Sequence, residues 1–193
     1  MNNFFTSDMH FWHKNIFKYC PKTRSGKSVE EMNQRMIENW CSQVTEHDTV
    51  YHLGDFSFNK DHNEALNLIA SLPGRSKVFV RGNHDYSRFW TELPKLPNVS
   101  TYDYLEVFIG GTPVVMFHYP IIDWNKRHRG AYHLFGHEHG GLQVHGRAMD
   151  VGIDARPTGD MKLWTWSEIH TKLSKLKVLP HHGGEGVNLK GEV

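Results

Sequence analysis

The spacing of apolar positions changes several times along the chain, and each change marks an element. Residues 2–7 (NNFFTS) form a short run that predicts a first strand. Ser28-Val29-Glu30-Glu31 has the spacing of a capping box. Behind it, Met32, Met36, Ile37 and Trp40 recur on one face of an amphipathic helix. Thr49 to Leu53 reads as the next strand, ending at Gly54-Asp55. Asp61 to Glu64 repeats the capping pattern, Leu66, Ile69 and Ala70 continue a second helix, and Pro73-Gly74 stops it. Lys77 to Val80 predicts a third strand that ends at Arg81-Gly82-Asn83-His84. A β-α-β-α-β order of this kind argues for a parallel α/β core.

The second half alternates differently. Tyr104 to Ile109, then Gly110-Gly111-Thr112-Pro113, then Val114 to Phe117 has the form of a hairpin. Ala131 to Phe135, Leu142 to His145 and Met149 to Ile153 predict further strands. Ser167 is the expected cap of a last helix carrying Ile169, Leu173 and Leu176. The pattern supports one domain over residues 1–179, followed by a polar, Gly-rich tail over 180–193.

Composition narrows the class. The 193 residues are 38% hydrophobic and 12% aromatic, which suits a packed globular chain. Lys plus Arg is 22 and Asp plus Glu is 21, so the net charge of +1 exerts no general pull on nucleic acid or membranes. Cys20 and Cys41 lack a CxxC spacing and read as reduced thiols. The start (MNNFFTSDMHFW) lacks the features of a signal peptide. No apolar run approaches the roughly 18 residues of a membrane span. The expected location is the cytoplasm. The unusual number is 15 histidines.

Many of those histidines fall where strands are expected to end, together with Asp and Asn. Asp8 and His10 follow the first strand, Asp55 the second, and Asn83, His84 and Asp85 the third. His118 follows the hairpin, and His137 and His139 follow the strand at 131–135. Carboxyl ends of parallel strands form the binding crevice of open α/β sheets. Asp8/His10 and His137/His139 are i, i+2 pairs, which point the same way in extended chain. Gly54, Gly82 and Gly136 each precede a candidate ligand and permit close backbone approach. Carboxylate, imidazole and amide oxygen suit Mn, Fe, Ni, Zn or Mg better than a thiolate site does.

Asp8-Met9-His10, Gly54-Asp55, Gly82-Asn83-His84-Asp85, His118 and Gly136-His137-Glu138-His139, in that order, resemble the calcineurin-like metallophosphoesterases, and especially their short bacterial and phage members. Each piece alone is common; five in order are specific. The resemblance runs from residue 5 to about residue 154. It implies a four-layer αββα sandwich with two mixed β-sheets flanked by helices. It implies two divalent ions, Mn²⁺ foremost: one held by Asp8, His10, Asp55 and His139, the other by Asp55, Asn83, His118 and His137, with Asp55 bridging. It further implies in-line attack on phosphorus by a metal-bridging hydroxide, with His84 assisting the leaving oxygen and Asp85 orienting His84. Met149-Asp150-Val151-Gly152-Ile153-Asp154 resembles another family strand, except that Asp150 stands where Asn is usual.

Other residues have plainer readings. His13 can line the site or begin a helix, and His52 is expected to pack in its strand. His47, His62, His145, His170, His181 and His182 are expected at the surface. Phe11, Trp12, Tyr86, Tyr119 and Trp124 can stack on a base, and Lys14, Arg81, Arg88, Arg127 and Arg129 can meet phosphate. The densest basic run is 126–129. Ser25-Gly26-Lys27-Ser28 resembles the end of a P-loop, but Pro21 occupies the required glycine position. His137-Glu138-His139-Gly140-Gly141 fails as a zinc-peptidase motif because residue 141 is Gly. The expected substrate is a small nucleotide-like phosphodiester, such as a cyclic nucleotide, because a poor leaving group is what His84 would assist. A monoester, including a phosphoprotein, and a non-catalytic scaffold are the alternatives. Near-neutral charge disfavours polymeric nucleic acid.

Overall fold

The computed structural model describes residues 1–24 and 26–180. The expected tail, with His181 and His182, therefore lies outside the described residues. The first half forms β1 (Asn3–Thr6), α1 (Ile16–Tyr19), α2 (Val29–Gln43), β2 (Thr49–His52), α3 (His62–Ser71), β3 (Ser76–Val80), α4 (Ser87–Glu92) and β4 (Val99–Tyr102). The second half forms β5 (Leu105–Ile109), β6 (Thr112–Met116), β7 (Tyr132–Phe135), β8 (Ala148–Asp150), β9 (Trp164–Thr165) and α5 (Trp166–Leu173).

The strands make two mixed sheets, in the orders β4-β3-β2-β1-β9 and β5-β6-β7-β8. In the first, β1 to β4 are parallel and β9 runs antiparallel to β1. In the second, β5 and β6 form the expected antiparallel hairpin, while β6, β7 and β8 are parallel. Alternation along the strands separates the packing layers. Phe4, Val50 and Phe79 face a cluster built with Met32, Met36 and Trp40 of α2 and Ala65 and Ile69 of α3. Phe5, Leu53 and Val80 face the other way, against Val114, Met116, Tyr132 and Leu134 of the second sheet. The outer face of that sheet is covered more thinly. There Val115 packs with Trp124 and Ala131, beside a 3-10 turn at Arg127–Arg129. This is the expected two-sheet α/β fold with flanking helices.

The caps differ in detail. Ser28 accepts from the Glu31 N–H, but the Glu31 carboxylate takes the N–H of Lys27 instead of Ser28. Asp61 caps α3 through the Asn63 N–H, and Glu64 turns to Asn59. The last helix starts earlier than Ser167: Thr165 is its cap, and Thr165 with Glu168 closes a full capping box. That box uses the stronger pairing of an acid three residues after the cap. The hairpin turn is only Gly110-Gly111, and Thr112 and Pro113 belong to β6. Residues Leu142 to His145 form no strand; Leu142 is exposed and only Val144 packs inward. Met149 to Ile153 is a strand only to Asp150, after which Ile153–Ala155 tightens into a 3-10 turn. The short α1, α4, β4 and β9 lack an apolar period. Among the described residues β4 pairs only with β3 and shows no fully buried residue, so its sequence stays polar.

Candidate metal centre

The carboxyl ends of five strands meet at one place. Asp8 and His10 leave β1, Asp55 leaves β2, and Asn83 to Asp85 leave β3, all in the first sheet. His118 leaves β6, and His137 and His139 leave β7, in the second. The two sheets are tied there by the Ser7–Gly152 bridge and by the His137 N–H, which donates to Asp8 Oδ2 at 2.9 Å. The expected ligands are thus gathered in and beneath a single cleft, with Asp8 and His118 buried below its surface. The cleft encloses about 390 Å³ and is lined by His10, His13, Asp55, His84, His137 and His139, among others.

The turns that aim these side chains are conformationally costly. Asp8, His10, Asp55, His137 and His139 all have left-handed backbone, with φ between 48° and 72°. Such angles cost about 1 kcal/mol or more each for residues with a Cβ, and they cluster at functional sites. Close approach also demands glycine at two neighbours. A Cβ on Gly82 would run into the Asp55 carboxylate, and one on Gly136 into Ser7 and the Asp8 carboxylate.

The donor atoms fit cations. His118 Nδ1 lies 2.7 Å from the Leu53 carbonyl and must donate to it, so Nε2 carries the lone pair. That Nε2 faces Asn83 Oδ1 at 2.9 Å and Asp55 Oδ2 at 3.6 Å. His137 Nδ1 also faces Asn83 Oδ1, at 3.0 Å. Asp55 Oδ2 is 3.8 Å from His10 Nε2, which puts this carboxylate between two imidazoles. Donor atoms of Asp8, His10 and His139, and separately of Asp8, Asp55 and His118, lie within 4.8 Å of one another. Burial pulls His118 down to about 4 and His10 far below the ordinary imidazole range, so both are neutral at pH 7. Burial, reinforced by Asp150 and Asp55, pushes Asp8 well above the usual carboxylate range, and burial raises Asp55 too. Lone pairs of His10 and His118 converge here with the buried carboxylates of Asp8 and Asp55. A divalent cation relieves that arrangement.

Several supporting residues are not visible in the motif. Burial opposes protonation of His139, but hydrogen bonds to Asp154 and Cys20 raise it to about 10. His139 Nδ1 is 2.7 Å from Asp154 Oδ2, which leaves Nε2 for the cleft. Asp154 is gripped in turn by buried Arg24, through Nε at 2.9 Å and Nη2 at 2.7 Å. Arg24 also donates to the carbonyls of Asp8 and Met9, so one guanidinium braces the first-sheet turn against the loop after β8. Asp150, unassigned from sequence, accepts from the Gly140 N–H at 2.8 Å and the Gly152 N–H at 2.7 Å and so holds the loop behind His139.

Two expectations need correction. Asp85 does not orient the His84 imidazole. Among the described residues its carboxylate accepts from the backbone N–H groups of Gly82, Asp55 and Phe56, so it shapes the turns that carry Asp55 and Asn83. His84 is instead placed by its own N–H, which donates to Asp55 Oδ1 at 2.8 Å, and by Phe58, 4.4 Å from its ring. Phe11 and Trp124 are buried and cannot stack on a base. Trp12, Tyr86, Lys14, Arg81, Arg88 and Arg129 do not line the cleft. His13 does line it, stacked on Phe58 at 3.8 Å, and His52 is fully buried as expected.

The chain is 29% identical over 187 residues to the gene 66 protein of Mycobacterium phage L5, covering 80% of this chain and 87% of that protein. It is 44% identical over 79 residues to an uncharacterized protein of Methanocaldococcus jannaschii, a match spanning 41% of this chain and only 44% of the archaeal protein. The solved structure of a protein of unknown function from Aquifex aeolicus shares the fold, with a TM-score of 0.67 over 89% of this chain and 98% of its own, at 24% identity. Residues 1–141 match the model of the calcineurin-like phosphoesterases. The chain belongs to the calcineurin-like phosphoesterase family.

Proposed function

We propose that this chain hydrolyses a phosphodiester, of a nucleotide or cyclic nucleotide, with two divalent cations. The observation that carries the reading is the position of Asp55 Oδ2, 3.8 Å from His10 Nε2 and 3.6 Å from His118 Nε2. One cation would be held by Asp8, His10, Asp55 and His139, and the other by Asp55, Asn83, His118 and His137. Two such cations, when bound, polarise a phosphoryl group and make water a nucleophile at neutral pH. His10 and His118, neutral through burial, offer lone pairs rather than protons. His84 sits at the cleft wall, half-buried, and gives a proton to the departing oxygen. Diesters need that proton more than activated monoesters do.

The test is chelation followed by reconstitution with Mn²⁺, Fe²⁺, Ni²⁺, Zn²⁺ or Mg²⁺, read by elemental analysis and by hydrolysis of bis-p-nitrophenyl phosphate, p-nitrophenyl phosphate and cyclic nucleotides. Diester turnover should depend on added metal, with Mn²⁺ the best rescuer. Faster monoester than diester turnover with every metal would sink the diester reading. Asp55→Ala should lose both ions; two ions retained in that variant would contradict a shared ligand.

A further inference from the structure

A line of rings leads away from the metal centre. Tyr119 lies 4.7 Å from the His137 ring and 5.0 Å from the His118 ring. Phe117 follows at 5.6 Å from Tyr119, and Tyr104 at 6.2 Å from Phe117. These are not core rings: Tyr119 is 38% exposed and Tyr104 43%. Tyr104 is at the same time a wall of a second cleft, of about 430 Å³, shared with Trp124, Asn125, Lys126, Arg127 and His128. The basic run thus lies at the far end of an aromatic strip whose near end touches two expected metal ligands.

The far end is built rather than loose. The Tyr104 hydroxyl donates to Glu106 at 2.7 Å, and Asn125 donates to the other oxygen of the same carboxylate at 2.8 Å. Asp123 pairs with Arg127 at 3.0 Å, and the Lys126 ammonium sits 5.0 Å from the Phe108 ring. Tyr104 and the cations are therefore held in fixed relation. Two exposed rings joined through half-buried Phe117, with Lys126 and Arg127 at the far end and a phosphoester site at the near end, match the needs of a single-stranded nucleic acid. Bases of any sequence stack on aromatic faces, and phosphates meet the cations.

We propose that the strip Tyr119–Phe117–Tyr104 and the cleft at Lys126–His128 form an extended subsite for a single-stranded oligonucleotide whose scissile phosphate lies at the metal centre. This deepens the phosphodiesterase reading and rests on it for the fate of the bound strand, but not for binding. The whole-chain charge of +1 does not exclude the site, because Lys126, Arg127 and His128 are gathered in one run, with Asp123 and Glu106 beside them to orient it.

The test has two arms on the full-length chain. In the first, fluorescein-labelled oligothymidylates of two, four and eight nucleotides are titrated by anisotropy with chelator present, so that no turnover intervenes. Affinity should rise at least about tenfold from the shortest to the longest. Tyr104→Ala and Lys126→Ala should each weaken binding of the octamer roughly tenfold, and Lys126→Ala should also flatten the salt dependence by about 0.7 in log–log slope. In the second arm, both variants should hydrolyse bis-p-nitrophenyl phosphate like the parent, which also reports that they are folded. Binding independent of length, or octamer binding unchanged in both variants, overturns the subsite. Length-dependent binding without diester hydrolysis by the parent leaves the subsite standing and removes the proposed activity.

Discussion

Arg24 makes as many structural commitments as any ligand, yet nothing in its neighbourhood of the sequence announces it. It lies in the stretch that resembles a failed P-loop, and its four partners, Asp154, Met9, Asp8 and Met36, are distant in the chain or lack a motif. Replacing it with Ala leaves the buried Asp154 carboxylate with only His139 and Thr23 as side-chain partners, a change worth up to about 3 kcal/mol. Arg24→Ala should lower the chemical-denaturation midpoint accordingly, and an unchanged midpoint would show that His139 and Thr23 suffice for Asp154. Asp154→Asn is the milder probe. It should weaken metal retention by roughly 10–100-fold by freeing the His139 ring, measured by competition with a chromophoric chelator. His84→Ala has a different signature: turnover should fall roughly 100-fold or more with metal content near that of the parent. Loss of metal in that variant would reassign His84 as a ligand. The motif named the candidate donors themselves. It could not show Arg24 or Asp150, whose roles are defined only by what the fold brings beside them, and it misled about Asp85, whose partners are backbone groups without identity.

Among the elements, those with a full period were readable and those held by a neighbour were not. α2 and α3 carry an apolar face long enough to see, and β1, β2 and β3 are buried runs, the last two leading to Gly54 and Gly82. β4 and β9 exist only because β3 and β1 offer an edge to pair with, and their short sequences carry no signal of that. The start of the first sheet rests on Asp48. Burial alone would raise its carboxyl, but hydrogen bonds from Thr45 and from the Asn2 N–H prevail and hold it below 3.8. A carboxylate depressed in the folded state adds stability above its unfolded value and loses it as pH falls through the folded value. Asp48→Asn should therefore cost stability at pH 7, and the gap from the parent should close below about pH 4. A gap that is the same at pH 7 and pH 3, by urea titration at each, would mean that the charge is immaterial. Thr165→Ala removes a cap and should cost about 1 kcal/mol in the same assay.

At the scale of the molecule, the donors are divided between two sheets, with Asp8, His10, Asp55 and Asn83 on one and His118, His137 and His139 on the other. Cations held between them bind only the folded state and should raise its melting temperature with concentration. Mn²⁺ added to the chelated protein should shift the thermal midpoint upward by several degrees, and no shift at saturating Mn²⁺ would count against ligation from both sheets. The two-sheet plan itself was legible only through the resemblance, since periodicity alone marks strands without saying which of them share a sheet. The return of residues 164–165 to β1 has its own consequence for a growing chain. Every donor has been synthesised by residue 139, but until Trp164 and Thr165 emerge, the outer rim of β1 offers bare N–H and C=O groups to any passing strand. A version cut between 155 and 163 would keep every candidate donor together with Asp150 and Asp154 and yet be prone to clump, so residues 164–165 serve as a seal on the first strand.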